Sequence, residues 1–313
     1  MATRASFAAT VALAALSLPV PAGPVSFEPE AVVHRVDRVA ILALARAGDR
    51  VIAAGERGRI LSSADDGVTW KVAATPTYQT LTSLSFSSAT TGFATGHQGA
   101  LLRTDDGGLT WNAVSLDGKD RPALFAVRVA GGRGIAVGAF GAYFETSDGG
   151  RTWSSRKVVG PDFDRHLTGI ASIGPGRMII AGEAGTLLSS SDDGATWHLL
   201  KSPYEGSFFG AIGITGGTAI AYGMRGNAWR SADGGQTWRR IDLGRYKGSL
   251  QGAAELPDGS VVLAGADGMV AMSRDGGATF TALPLGTRAS LTAVLHVSGG
   301  WIVAGPAGLR SVH

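Results

Sequence analysis

An eight-residue phrase recurs six times along this chain. It reads Ser63-Ala-Asp65-Asp-Gly67-Val-Thr69-Trp70 and returns at residues 104–111, 146–153, 190–197, 231–238 and 273–280. The pattern is Ser/Thr-x-Asp-x-Gly-x-Thr-aromatic. Its carboxylates are Asp65, Asp106, Asp148, Asp192, Asp233 and Asp275, and its aromatics are Trp70, Trp111, Trp153, Trp197, Trp238 and Phe280. The aromatics are separated by 41, 42, 44, 41 and 42 residues, so the chain is an array of near-equal units. A period in the forties with strand-like content predicts propeller blades of four strands each.

A second signal, Gly-x-x-Gly, precedes every phrase, from Gly55/Gly58 to Gly265/Gly268, and a seventh copy stands at Gly305/Gly308 with no phrase after it. Each unit opens with a strand such as 81–86 or 124–129. A second apolar run follows, such as Arg177-Met-Ile-Ile-Ala181. Short continuous apolar runs belong to strands covered on both faces, as between stacked blades. Gly-x-x-Gly supplies the turn into the third strand, and the fourth strand is expected to start at the tryptophan. Seven hairpins and six phrases imply that the last blade lacks its own fourth strand. Residues 26–35 are expected to fill that place and clasp the ring, leaving no open edge. The expected fold is all-β: a seven-bladed β-propeller over residues 23–313, closed by an N-terminal strand in the last blade, with no helix.

The phrase has a mechanical explanation. Its Asp carboxylate and Ser/Thr hydroxyl can satisfy backbone groups of a turn, Gly permits a left-handed position, and the aromatic buries a large face. Neither calcium nor catalysis is needed to account for it.

Composition narrows the function. The formal charge is 28 minus 25, or +3, and no basic run or stacking motif of a nucleic-acid module is present, so no nucleic-acid partner is expected. Arg4 is the only charge before Glu28; an apolar stretch from Ala5 to Leu18 and small residues at Val20-Pro21-Ala22 follow it. That is the form of a cleaved export signal over residues 1–22, predicting a periplasmic or secreted protein, soluble after cleavage. The chain has no cysteine, which excludes disulfides and lipoprotein anchoring. Gly131-Gly-Arg-Gly134 leads into a strand rather than a helix and offers no phosphate cradle. With no metal-spaced histidines and no Gly-x-Ser-x-Gly elbow, no cofactor is expected.

The phrase is the Asp-box, or bacterial neuraminidase repeat. With six copies in register over essentially the whole mature length, the chain resembles the photosystem II assembly and stability factor family of cyanobacteria and chloroplasts. The resemblance implies a seven-bladed propeller without enzymatic activity that binds membrane-protein intermediates during biogenesis. Related propellers of non-photosynthetic bacteria accompany resistance-nodulation-division exporters, and Ser202-Pro-Tyr-Glu-Gly-Ser-Phe-Phe-Gly210 is similar to that group. The implied partner is a membrane protein or membrane-protein complex, bound by a monomer.

Strand order puts the Gly-x-x-Gly turns and the blade-to-blade connectors on one face and the Asp-boxes on the other. The first face carries Arg57, His97, Phe140, Arg165, His166, Tyr204, Phe208, Phe209, Arg225, Arg245, Tyr246 and Arg288. Arginine and aromatic residues of this kind are enriched in interface hot spots. The candidate binding residues are Arg57, His97, Arg165, His166, Tyr204, Phe208, Arg225, Arg245, Tyr246 and Arg288, and no catalytic or metal residue is assigned. In the family an arginine-rich patch serves partner binding, and the resemblance offers Arg57, Arg225, Arg245 and Arg288 for that part. Two alternatives use the same face: an Asp-box glycoside hydrolase or sialidase-like enzyme, and a glycan-binding propeller. A glycosidase needs two carboxylates roughly 5–9.5 Å apart. Glu56, Glu183 and Asp267 belong to different blades, leaving Glu183 with Asp162 or Asp164 as the best pair. The Arg-Ile-Pro phrase of sialidases is absent.

Overall fold

The computed structural model describes residues 39–312. They form seven antiparallel sheets in chain order, six of four strands and a last one of three. Blade 1 runs Ile41–Ala47, Arg50–Gly55, Ile60–Ser63 and Lys71–Val72, and blades 2 to 6 repeat this plan. Blade 7 consists of Ala293–Val297, Gly300–Gly305 and Gly308–Val312. The seven-bladed propeller is therefore present as expected. The clasp at 26–35 and the export signal at 1–22 lie outside the described residues.

The core is divided among the seams. Seven apolar clusters each join two neighbouring blades, for instance Val51, Ala53 and Leu61 of blade 1 with Ile302, Ala304 and Leu309 of blade 7. Second strands such as Val51–Gly55 and Gly92–Gly96 are buried throughout, because each is covered by a blade on either side. The first and last blades meet in the same way as the others. Besides that cluster, the Thr292 hydroxyl donates to the Ile41 carbonyl at 2.8 Å.

The Asp-box explains how the repeat builds these seams. In blade 1 the buried Ser63 hydroxyl accepts the Gly67 N–H at 2.8 Å and donates to Asp65 at 2.7 Å. Asp65 in turn accepts the Thr69 N–H at 2.9 Å, and the Trp70 indole donates to the Gly67 carbonyl at 3.1 Å. The loop is thus satisfied by its own residues, and its glycine is free to lie on the preceding blade. A Cβ on Gly67 would stand 2.5 Å from Ile302, and one on Gly108 would stand 2.7 Å from Ile52. The same contact joins Gly150 to Phe93, Gly194 to Ile135, Gly235 to Ile179 and Gly277 to Ile220.

Two local features differ from the sequence reading. The outer strands begin one residue after the aromatic, at Lys71 and Asn112 for example. Five of the hairpin turns are single 3-10 turns, so helical geometry is present among the described residues, though only as one-turn pieces. In these turns only the second glycine uses a positive φ. The first is extended and allows close approach instead: a Cβ on Gly55 would sit 1.9 Å from the Ala40 carbonyl oxygen. The other left-handed residue is the non-glycine before the second glycine, such as Arg57 at φ 57° or Phe140 at φ 54°.

Candidate functional site: the connector face and channel mouth

Inner strands line an axial channel of about 350 Å3 to which all seven blades contribute. In blades 1 to 6 the first residue of the inner strand pairs with the first glycine of the hairpin turn, so this end of the channel opens among the turns and connectors. Register shifts one residue later in each of these strands, leaving Leu42, Thr82, Phe125, Thr168, Phe209 and Gln251 outside the ladder. A bulge of this kind re-aims a side chain. Thr82 and Thr168 use it to donate to the Leu124 and Phe208 carbonyls of the next blade, at 2.7 and 2.9 Å. Phe125 and Phe209 occupy the corresponding places in blades 3 and 5 and line the channel.

The centre of this face is a small aromatic assembly. The His166 ring stands edge-on to Phe140 with centroids 4.9 Å apart, and Phe125 lies 5.7 Å from the same imidazole. His166 Nδ1 accepts the Phe140 N–H at 3.2 Å, which puts the imidazole proton on Nε2. Glu183 accepts the His166 backbone N–H at 3.2 Å, and Arg165 donates to the Ala184 carbonyl at 3.2 Å. The connector between blades 3 and 4 is thereby tied to the turns of both.

The candidate residues fall into distinct roles. Arg57, Arg225, Arg245, Arg288, His97 and Arg165 are exposed on this face. Arg57 and Arg225 both hold the left-handed position of their turns, in blades 1 and 5, so the ring keeps them apart. Tyr204 and Tyr246 are half-buried pins. Tyr246 donates to the Ser249 and Ala266 carbonyls at 3.0 and 3.1 Å, and burial pushes its hydroxyl up to about 12. Tyr204 packs edge-on to Phe208 at 5.6 Å. Phe208 itself is a correction: it is 0% exposed and belongs to the core between blades 4 and 5, while Phe209 is 37% exposed. The bulge reverses which of the two faces outward. Phe125 escaped the sequence reading, because its position reveals itself only when the inner strands are aligned on the Thr82 and Thr168 register.

Glu183, the carboxylate of the best hydrolytic pair, is engaged with His166 in this way. Among the described residues no group of three or more His, Asp or Glu side chains is placed to hold a metal ion.

This geometry defines a class: an Asp-box propeller whose turns and connectors form one basic and aromatic face around a channel mouth. A family model described as photosynthesis system II assembly factor YCF48 matches residues 62–230, and the chain belongs to that family. Among solved structures, YCF48 bound to a D1 peptide is similar with a TM-score of 0.71 and 20% identity, covering 95% of this chain and 100% of that one. YCF48 from Cyanidioschyzon merolae follows at 0.69 and 18%, covering 87% and 94%. The WD40 propeller domain of Doa1 shares the architecture at 0.68 and 15%, covering 90% and 94%. No curated protein matches the chain.

Proposed function

We propose that this protein is a non-enzymatic binding factor that assists the assembly or operation of a membrane-protein complex in the periplasm, with an exporter of the resistance-nodulation-division type as one such complex. One observation carries the reading. Exposed arginines, spread over several blades, share the connector face with the rings of Phe140, His166 and Phe209. The Asp-box carboxylates of the opposite face accept from their own loops. Aromatic rings and arginines are enriched in interface hot spots. The solved YCF48 holding a D1 peptide supports a peptide segment as the element bound.

Crosslinking in intact cells followed by mass spectrometry tests it. Crosslinks from Lys119 or Lys247 to a polytopic membrane protein are expected. The double variant Arg57→Glu/Arg225→Glu should lose them while melting as the parent does. Control proteins that crosslink while this face yields no protein partner would overturn the reading in favour of a glycan ligand.

A further inference from the structure

We propose that the cleft beside Phe140 in blade 3 receives an apolar side chain from an extended, acidic segment of the partner. This deepens the reading above and rests on it. The cleft measures about 570 Å3, and Ala139, Phe140 and Phe144 are among the residues that line it. That volume suits one or two bulky side chains.

Phe140 is presented in an unusual way. It is 65% exposed and sits at φ 54°, a left-handed conformation that L side chains rarely adopt. At the same turn position blades 1, 2, 4, 5 and 6 carry Arg57, Gln98, Ala184, Arg225 and Asp267. A large ring held at such a place, open to water, points to an occupant. The ring is also fixed before anything binds. Its N–H is held by His166, its flank by the imidazole, and the neighbouring Gly141 N–H donates to the Arg165 carbonyl at 2.8 Å. A preorganised anchor loses little entropy on binding.

The rim decides the charge of the occupant. Arg156 is committed to Glu145 at 2.9 Å, and Asp117 accepts the Ser155 N–H at 2.8 Å. Among the described residues Arg121 bonds only the backbone carbonyls of Gly118 and Asp120. Lys119 and Lys157 are exposed and make no ion pair among the described residues, so Lys119, Lys157 and Arg121 face the two carboxylates Asp117 and Asp120, an excess of one positive charge. Carboxylates flanking the apolar anchor complement that excess, whereas a basic segment is repelled.

Fluorescence anisotropy with synthetic peptides tests the assignment on the full chain. The probe carries a central leucine between pairs of glutamates. Its counterparts replace the glutamates by lysine or the leucine by alanine. The parent probe is expected to bind roughly tenfold more tightly than either counterpart. Phe140→Ser and Lys119→Glu/Lys157→Glu should each lose about that factor. Val68→Ser, exposed on the opposite face, should lose nothing. Equal binding of the glutamate and lysine peptides, no binding of the probe, or unchanged affinity in both cleft variants would overturn the proposal. If the probe fails while Lys247 still crosslinks to a membrane protein in cells, the cleft is wrong and the binding-factor reading stands. If both fail, that reading falls with it.

Discussion

Asp66 in blade 1 accepts hydrogen bonds from both the backbone N–H of Ser298, at 3.1 Å, and its hydroxyl, in blade 7. The first Asp-box therefore ties together the two blades at which the ring closes. Arg46 joins it, donating to Asp66 at 2.9 Å and to the His296 carbonyl at 3.4 Å. The Ser298 hydroxyl and then Arg46 hold the Asp66 carboxyl below its ordinary range.

Removing this tie should open the ring at one seam. Asp66→Ala is expected to cost about 1.5–3 kcal/mol, the usual worth of hydrogen bonds to a charged group. For a protein of this size that lowers the melting temperature by a few degrees, about 2–4 °C per kcal/mol. Hydrogen exchange should speed up first in blades 1 and 7. Uniform acceleration around all the blades would show that the seam is no weaker than the rest.

Acid should unfold the protein through its Asp-boxes. Bonds from Thr69, Thr196 and Thr237 bring Asp65, Asp192 and Asp233 down to about 2, and Asp148 and Asp275 are lowered further by their own loops. A folded-state value below the unfolded one near 3.8 contributes stability at higher pH. The contribution is fully present above about pH 5 and is lost as pH falls from about 4 toward 2. Guanidinium titrations should give a flat midpoint between neutral pH and about 5, then a steep decline. A midpoint that stays level down to pH 2 would contradict the arrangement.

Close approach, rather than turn geometry, should govern the first hairpin glycine. Gly55→Ala would bring a methyl to 1.9 Å from the Ala40 carbonyl oxygen. It should destabilise by about 3 kcal/mol, the upper end for overpacking. Gly160 has open space around it and no positive φ, so Gly160→Ala should be neutral or stabilise by up to about 1 kcal/mol. Paired thermal melts compare the two, and a tolerated Gly55→Ala would be fatal to the packing argument.

Adjacent phenylalanines should behave oppositely. Phe208→Ala leaves a cavity between blades 4 and 5 and is expected to cost about 3–5 kcal/mol. Phe209→Ala should change stability by less than about 1 kcal/mol while weakening crosslinking to the partner. Chemical denaturation of both variants, beside the in-cell crosslinking yield, separates them. Similar losses of stability would mean that the bulge does not aim the two rings apart.

Blade number and the Asp-box turn were legible before any coordinates, and the reason is locality. Ser63, Asp65, Gly67, Thr69 and Trp70 satisfy one another within eight residues, so the phrase carries its whole hydrogen-bond plan in consecutive positions. Its regular period then dictates repeated blades, because each unit can bury its apolar strands only against a neighbour. The placement of exposed arginines on the turn face followed from the same strand order.

The centre of the connector face was decided elsewhere. Whether Phe208 or Phe209 meets solvent depends on a bulge set by pairing with Gly223 and Tyr222, and Phe125 reaches the channel through the equivalent bulge in blade 3. Phe140 is held by His166, 26 residues away in the next connector, and Asp66 finds Ser298 across 232 residues of chain. A local pattern specifies the blade. Only the closed ring brings residues of different blades together, since packing between neighbours sets both the register and the exposure of the side chains at the channel mouth.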